Sequence, residues 1–220
     1  MSHCRVTVLI SGSGSNLQAL IDARDRGEFD ADLVHVISNR ATAFGLQRAA
    51  KAGLASSVLP HQAFNSREEF DQALAALIAS HNPDLVVLAG FMRILGPAVI
   101  ERFQNRIINL HPSLLPLYRG TDTYQRAIAA GDREHGASMH FVTGELDGGP
   151  LISQVRIHVA ADDTAETLAA RLAPREHDLI VATSKLFCQH AIHCRNNQVY
   201  SGDAVLQQAL RLQPDGSFLE

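Results

Sequence analysis

The chain has 220 residues and a formal net charge of −4, with 46% hydrophobic and 19% charged residues. This composition is typical of a packed soluble protein, and the length suffices for one domain with an ordinary core. Neither a basic block nor a basic-aromatic stripe occurs, which argues against a nucleic-acid partner. The apolar segments are too short for a membrane span or a signal peptide, so we expect no membrane partner and a cytoplasmic location.

Strand and helix patterns alternate along the first half of the chain. Short apolar runs that predict strands are each followed by a stretch that predicts a helix. This alternation predicts an α/β fold, a Rossmann-like open and mostly parallel sheet with helices on both faces. The predicted strands are 6–10, 33–37, 57–59, 85–89 and 106–110, and the predicted helices are 16–24, 44–52, 66–80 and a short one from 96.

The second half of the chain has a different pattern. Strands of alternating polarity are predicted at 137–142 and 151–158, followed by a helix over 164–187. Pro174 should kink or interrupt that helix. The remaining residues are mixed, with a hairpin predicted near Tyr200. We therefore expect a catalytic domain over 1–190, with 191–220 as a C-terminal extension of the same domain.

The cysteines do not indicate a disulfide framework. There are three of them, Cys4, Cys188 and Cys194, and no C-x-x-C spacing occurs. Although Cys188 and Cys194 are near each other in sequence, we expect free thiols in a reducing cytosol.

A polar pair follows the predicted strand 106–110. Asn109 and His111 lie on the same side of an extended chain, and Pro112 favours that conformation at the histidine. An amide that holds a carbonyl oxygen beside an imidazole that carries a proton can polarise an acyl group. Asp147, in a later glycine-rich turn, is a candidate partner for the histidine. The alternatives are a strand-end histidine bonded to a nearby carbonyl and an ordinary Asp-Gly turn.

Two loops follow predicted strands at the edge where open α/β sheets bind ligands. Residues 11–16, Ser-Gly-Ser-Gly-Ser-Asn, precede a helix, and their glycines and free N–H groups suit a phosphate. This segment is neither a G-x-G-x-x-G motif nor a Walker loop, and a tight turn with polar caps is the alternative. Residues 90–95 are apolar except for Arg93, and their composition favours core packing over a pocket wall.

Metal and covalent chemistry receive little support. His135 and His140 lie in the same region, but no H-x-x-x-H or H-E-x-x-H spacing occurs, so we expect no metal. Ser113 lies two residues after His111, yet the chain has no G-x-S-x-G, which makes an acyl-enzyme the weaker option.

Five segments together carry a family resemblance: 10–18, 37–40, 88–95, 109–116 and 140–150. On these segments, which span most of the chain, the sequence resembles the glycinamide ribonucleotide formyltransferases of purine biosynthesis. The resemblance implies the formyltransferase fold. It also implies transfer of a formyl group from the co-substrate 10-formyltetrahydrofolate to the amine of 5-phosphoribosylglycinamide, directly through a tetrahedral intermediate and without a metal.

The resemblance further implies roles for individual residues. Asn109 would stabilise the oxyanion, His111 would act as the general acid, and Asp147 would favour the charged histidine. The phosphate would lie at residues 14–16 and the ribose hydroxyls at Glu176. The implied ribonucleotide site comprises Gly14, Ser15, Asn16, Ala173, Pro174, Arg175 and Glu176. The implied folate site comprises Arg67, Met92, Arg93, Ile94, Leu95, Asn109, Thr143, Gly144, Glu145, Leu146 and Asp147.

The sequence departs from the family pattern at three places. Residues 121–124 are Thr-Asp-Thr-Tyr where the family often has Leu-His-Thr-His. Gly144 stands where an acid is usual, which should make the folate loop more mobile. Pro174 lies just before Glu176. The tail after Cys188 matches poorly, and a homodimer is left open.

Three other functions are compatible with part of this pattern. A formyltetrahydrofolate hydrolase shares the Asn, His and Asp, but that family usually has an N-terminal regulatory domain, whereas this chain starts at its first strand. Methionyl-tRNA formyltransferases have a C-terminal RNA-binding domain, which we do not expect from a short non-basic tail. A non-catalytic nucleotide- or folate-binding protein would not need all three catalytic residue types at this spacing.

Overall fold

The computed structural model describes residues 3–219. The strands in chain order are β1 (Cys4–Ile10), β2 (Ala31–Ser38), β3 (Ser56–Val58), β4 (Leu85–Leu88), β5 (Ile107–His111), β6 (Glu134–Phe141), β7 (Leu151–His158), β8 (Ile192–Arg195), β9 (Gln198–Ser201), β10 (Ala204–Val205), β11 (Leu210–Leu212) and β12 (Phe218–Leu219). The helices are α1 (Ser15–Asp25), α2 (Gly45–Lys51), α3 (Arg67–Ser80), α4 (Pro97–Arg102), α5 (Thr123–Ala130) and α6 (Ala165–Cys188).

Nine strands form one sheet in the order β12-β11-β7-β6-β5-β4-β1-β2-β3. The pairings from β5 through β4 and β1 to β3 are parallel, while β6 is antiparallel to both of its neighbours. The predicted mostly parallel α/β fold is therefore confirmed. The chain order reverses between β4 and β1, and at such a point the loops after the two strands diverge and leave a crevice.

Alternate residues of the central strands pack into two separate hydrophobic cores, one on each face of the sheet. Val8 of β1 and Val87 of β4 pack with α1, α2 and α6 on one face, whereas Leu9 and Val86 pack with α3 and α4 on the other. Side chains of a strand point to opposite faces in turn, so a strand covered on both faces must be apolar throughout. This packing holds the strand ends, and with them the loops of the crevice, in fixed positions.

The predicted elements of the first half are all present, with ends that differ by no more than two residues. In the second half, Thr164 caps α6, and its side chain accepts a hydrogen bond from the Thr167 N–H. The predicted interruption at Pro174 is wrong, because α6 continues through it from Ala165 to Cys188. Packing of Leu172 and Leu179 into the core holds the two halves of the helix together.

The C-terminal segment packs against the main sheet. Strands β8, β9 and β10 form a small antiparallel sheet, which includes the hairpin predicted near Tyr200. Strand β11 then pairs with the edge strand β7, and Leu210 and Leu212 enter the larger core.

The prediction of three free thiols is wrong. Cys4 at the start of β1 and Cys188 at the end of α6 form a disulfide with a Cα–Cα distance of 5.3 Å, and Cys194 is free and buried. The two bonded residues are 184 positions apart, so their proximity is a product of the tertiary fold and is not visible in the cysteine spacing. No helix among residues 3–219 is long and apolar enough to cross a membrane.

Candidate active site

A cleft of about 710 Å³ opens at the carboxyl ends of β4 and β5. Most of the residues that the sequence resemblance assigns to ligands or to catalysis meet there. They are Asn16, Met92, Arg93, Ile94, Leu95, Asn109, His111, Thr143, Gly144, Glu145, Leu146, Asp147 and Glu176. A smaller cavity of about 250 Å³ adjoins the cleft and is lined by residues 11–16, Arg40 and Met92.

His111 has a partner on each ring nitrogen. Its Nε2 lies 2.9 Å from the carbonyl oxygen of Tyr118, and its Nδ1 lies 3.4 Å from Asp147 Oδ2. A carbonyl oxygen can only accept, so Nε2 carries a proton in this arrangement. The charged imidazole, with a second proton on Nδ1, therefore matches both partners, whereas the neutral ring would turn a lone pair toward the carboxylate.

Asn109 is held in place by a second histidine. Its Nδ2 lies 3.1 Å from His140 Nε2, and His140 Nδ1 lies 2.9 Å from the Phe141 carbonyl oxygen. Because that carbonyl accepts, His140 Nδ1 is the protonated nitrogen and Nε2 accepts from the Asn109 amide. Burial lowers the pKa of His140, which favours this neutral form. The second N–H of the Asn109 amide is left for a ligand in the cleft.

The Asp147 carboxylate is fixed by its own turn and by the neighbouring loop. The backbone of Asp147 has φ +47°, in the left-handed region that aspartate tolerates better than most residues. Gly149 is required for close approach, since a Cβ there would lie 1.8 Å from the Phe141 carbonyl oxygen. The carboxylate accepts the Gly120 N–H at 2.9 Å while facing His111. The side chain is only 10% exposed, which strengthens these charge interactions.

The loop over 11–16 is built for close approach of the backbone to a ligand. Gly14 has φ +69°, and a Cβ at this position would lie 2.5 Å from the Gly45 Cα. The Ser11 hydroxyl donates to Asn39 Oδ1 at 2.6 Å and accepts the Met92 N–H at 2.8 Å, which joins three of the loops that carry the family resemblance. At the end of the loop, the free N–H groups of α1 face the smaller cavity.

The cleft itself has an apolar wall. Met92, Ile94 and Leu146 line it with 61%, 54% and 47% of their surfaces exposed. Exposed apolar side chains clustered around a cavity indicate a binding wall, so the interpretation of 90–95 from its composition as core holds for Phe91 and Leu95 but not for Met92 and Ile94.

Helix α3 secures this apolar wall from behind. Arg67 lies outside the cleft lining, and it donates to the Ile94 carbonyl oxygen at 3.0 Å. Asp71 is buried, accepts the Gly96 N–H, and lies 3.5 Å from the Arg67 Nε. Burial raises the pKa of the Asp71 carboxyl, although these two contacts oppose the shift. The sequence motifs did not single out Asp71.

Glu176 lines the cleft, and its Oε1 accepts a hydrogen bond from the Tyr124 hydroxyl at 3.1 Å. The three residues before it do not line the cleft. Ala173 is partly buried, Pro174 is exposed, and Arg175 pairs with Asp178 at 2.8 Å and donates to the Gln213 carbonyl oxygen. Their assignment to the ribonucleotide stays a prediction.

Sequence reasoning missed two contacts of this site. Tyr124 lies on α5, a helix that the apolar periodicity did not indicate, and it appeared only as a departure from the family pattern. His140 was weighed only as a metal ligand, although its position opposite Asn109 in the β5–β6 pairing explains its contact. Within residues 3–219, no cluster of three or more His, Cys, Asp or Glu side chains is arranged to hold a metal ion.

Comparisons with known proteins agree with this geometry. Residues 4–184 match the model of the formyl transferase family. Over 211 residues the chain is 44% identical to the phosphoribosylglycinamide formyltransferase of Escherichia coli (strain K12), which covers 96% of this chain and 97% of the relative. The chain belongs to the phosphoribosylglycinamide formyltransferase family. It is therefore a formyl transferase enzyme.

Solved structures support the same assignment. The phosphoribosylglycinamide formyltransferase of Coxiella burnetii superposes with a TM-score of 0.89 at 44% identity, over 93% of this chain and 96% of that one. A formyltetrahydrofolate deformylase from Pseudomonas syringae pv. tomato also superposes, with a TM-score of 0.85 at 26% identity, over 91% of this chain and 66% of that one. The fold is thus common to both activities, so the residues that line the cleft must determine which reaction occurs.

Proposed function

We propose that this enzyme transfers the formyl group of 10-formyltetrahydrofolate to the amine of 5-phosphoribosylglycinamide, a step of purine biosynthesis. One observation carries the proposal: a cleft with an apolar wall suited to a flat ring system adjoins a cavity lined by a glycine-rich loop suited to phosphate. Asn109, His111 and Asp147 line the same cleft as the apolar wall. A hydrolase acting on the folate alone has no use for the phosphate end.

The proposed roles follow from the contacts of each side chain. The ribonucleotide phosphate binds the N–H groups at Gly14, Ser15 and Asn16, because free N–H groups at a helix start favour an anion. The folate ring lies against Met92, Ile94 and Leu146, whose exposed surfaces it covers. The formyl group then lies beside Asn109 and His111.

The chemistry proceeds by direct attack. The amine nitrogen of the ribonucleotide forms a bond to the formyl carbon, and the carbonyl oxygen becomes an oxyanion. The free N–H of Asn109 and the charged His111 stabilise that oxyanion. The carbon–nitrogen bond to the folate then breaks as His111 gives a proton to the leaving folate nitrogen, and the imidazole regains a proton from the attacking amine. Asp147 orients the imidazole and favours its charged form.

The test is an assay with each substrate omitted in turn. Folate turnover, followed by absorbance, should require the ribonucleotide. Turnover at the same rate without the ribonucleotide would show that the enzyme is a hydrolase and not a transferase.

A further inference from the structure

The Glu176 carboxyl has an unusual environment within the cleft. It lies in the wall of the cleft, and among residues 3–219 it forms no ion pair. Its hydrogen bond comes from the Tyr124 hydroxyl, which donates to Oε1 at 3.1 Å. A carboxylate has two oxygens with about four acceptor positions, so most of its capacity remains open to donors in the cleft.

Tyr124 is anchored independently of that bond. It lies in the first turn of α5, and its ring packs edge-on against His135 with 5.2 Å between the ring centroids. Burial and the nearby Glu176 raise the pKa of Tyr124 above its ordinary value, so the phenol keeps its proton. The hydroxyl is therefore a permanent donor held at a fixed position beside the carboxylate.

We propose that Tyr124 determines specificity for the sugar: its hydroxyl fixes the Glu176 carboxylate so that the open acceptor positions receive two adjacent hydroxyls of a ribose. This inference rests on the proposed function, which supplies the ribonucleotide. A sugar that lacks one of the two hydroxyls leaves an acceptor of a partly buried carboxylate unpaired, and sites built to bond a hydroxyl reject such analogues.

Tyr124 also controls the charge of the carboxylate. Burial raises the pKa of Glu176, and the Tyr124 hydrogen bond opposes the rise. The titratable group that faces Glu176 is Tyr124 from α5. Behind the Tyr124 ring lies His135 from β6, whose pKa is lowered by burial. Asn16 from α1, which also lines the cleft, is uncharged. Loss of the hydroxyl therefore raises the pKa of Glu176, and binding that needs the carboxylate is lost at a higher pH than in the wild type.

The first experiment compares Tyr124→Phe with the wild type and with Tyr200→Phe. Tyr200 lies on β9, stacked on His193 and outside the cleft, so Tyr200→Phe removes a hydroxyl of the same kind elsewhere. We expect Tyr124→Phe to weaken ribonucleotide affinity roughly tenfold, to leave kcat and the KM for the folate within about twofold, and to reduce the preference for the ribose over the 2-deoxyribose substrate. Tyr200→Phe should match the wild type.

A second variant tests whether Tyr124 acts through Glu176. If it does, adding Tyr124→Phe to Glu176→Gln should weaken binding little further, because the two changes remove one shared interaction. The acid limb of the pH profile of kcat/KM for the ribonucleotide should also move to higher pH in Tyr124→Phe. Independent, additive losses of ribonucleotide affinity or an unmoved acid limb would overturn the proposal. A fall in kcat together with a rise in both KM values would overturn it as well.

Calorimetric titration with the ribonucleotide alone separates this inference from the proposed function. Binding can be measured without any transfer, so an enzyme that binds the ribonucleotide but does not formylate it contradicts the proposed function and still tests Tyr124. Equal affinities of wild type and Tyr124→Phe would overturn the inference while leaving the transferase intact.

Discussion

The site has two ends that differ in construction: the small cavity at residues 11–16 is the polar end, and the cleft wall formed by Met92, Ile94 and Leu146 is the apolar end. The loop over 11–16 offers backbone N–H groups, held by a glycine contact and by hydrogen bonds between loops, whereas the wall over 92–94 offers apolar side chains that reach into the cavity. Recognition by backbone depends on conformation, and recognition by apolar side chains depends on the area that the ligand covers. A substitution at one end should therefore have an effect of different size and kind from a substitution at the other.

The largest effect is expected at the proposed catalytic residues. Asp147→Asn removes the charge that favours the charged His111 and should lower the transfer rate roughly 10²–10⁴-fold, the range of general acid catalysis. Binding at both ends should stay within a few-fold of the wild type. Single-turnover kinetics and ligand titrations measure the two separately. Asp84→Asn, at the amino end of β4, is the matched control. Loss of binding without loss of rate would remove Asp147 from the catalytic role.

Gly14→Ala should break the polar end alone. The new Cβ would meet the Gly45 backbone, and the left-handed conformation of Gly14 costs a non-glycine residue about 1–2 kcal/mol, so we expect ribonucleotide affinity to fall by roughly 100-fold. The folate affinity should change by less than about twofold. Gly27→Ala is the control, because Gly27 also has a positive φ but has open space around its Cβ position. If Gly14→Ala binds the ribonucleotide normally, the loop is not the phosphate site.

Ile94→Ala should weaken the apolar end by a smaller factor. Ile94 is already 54% exposed, so truncation removes contact area for the folate without opening a core cavity. We expect the folate KM to rise roughly three- to tenfold and the ribonucleotide affinity to stay unchanged. Leu219→Ala, with a similarly exposed side chain outside the cleft, should alter neither value. An effect of Ile94→Ala on the ribonucleotide instead would reverse the assignment of the two ends.

Sequence reasoning located the parts of the site that follow directly from strand ends. Asn109 and His111 are fixed by the last residues of β5, and residues 11–16 by the β1–α1 turn, so strand periodicity and turn chemistry place them. The Tyr124–Glu176 contact needs the packing of α5 on α6, and the disulfide between Cys4 and Cys188 needs the whole sheet between them. Such long-range contacts leave no local signal.

Sequence reasoning also could not predict the surroundings of individual side chains. His111 and His140 lie on the neighbouring strands β5 and β6, and both approach the Asp147 carboxylate, at 3.4 Å and 3.7 Å. Only their hydrogen bonds distinguish them, because His140 contacts the Asn109 amide whereas His111 contacts the Tyr118 carbonyl oxygen. Met92 and Phe91 are neighbours of similar hydropathy, yet one is 61% exposed in the cleft and the other is buried. The direction in which a loop side chain points decides whether it is exposed or buried, and the composition of the loop does not reveal that direction.

The most direct test of the account follows the fate of the formyl carbon. The enzyme is supplied with 10-formyltetrahydrofolate labelled with ¹³C in the formyl group, together with the ribonucleotide, and the products are observed by NMR. The account predicts that the label passes to the amide of the ribonucleotide, with tetrahydrofolate formed in equal amount and no free formate. Label recovered as formate, at a rate that the ribonucleotide does not change, would contradict it.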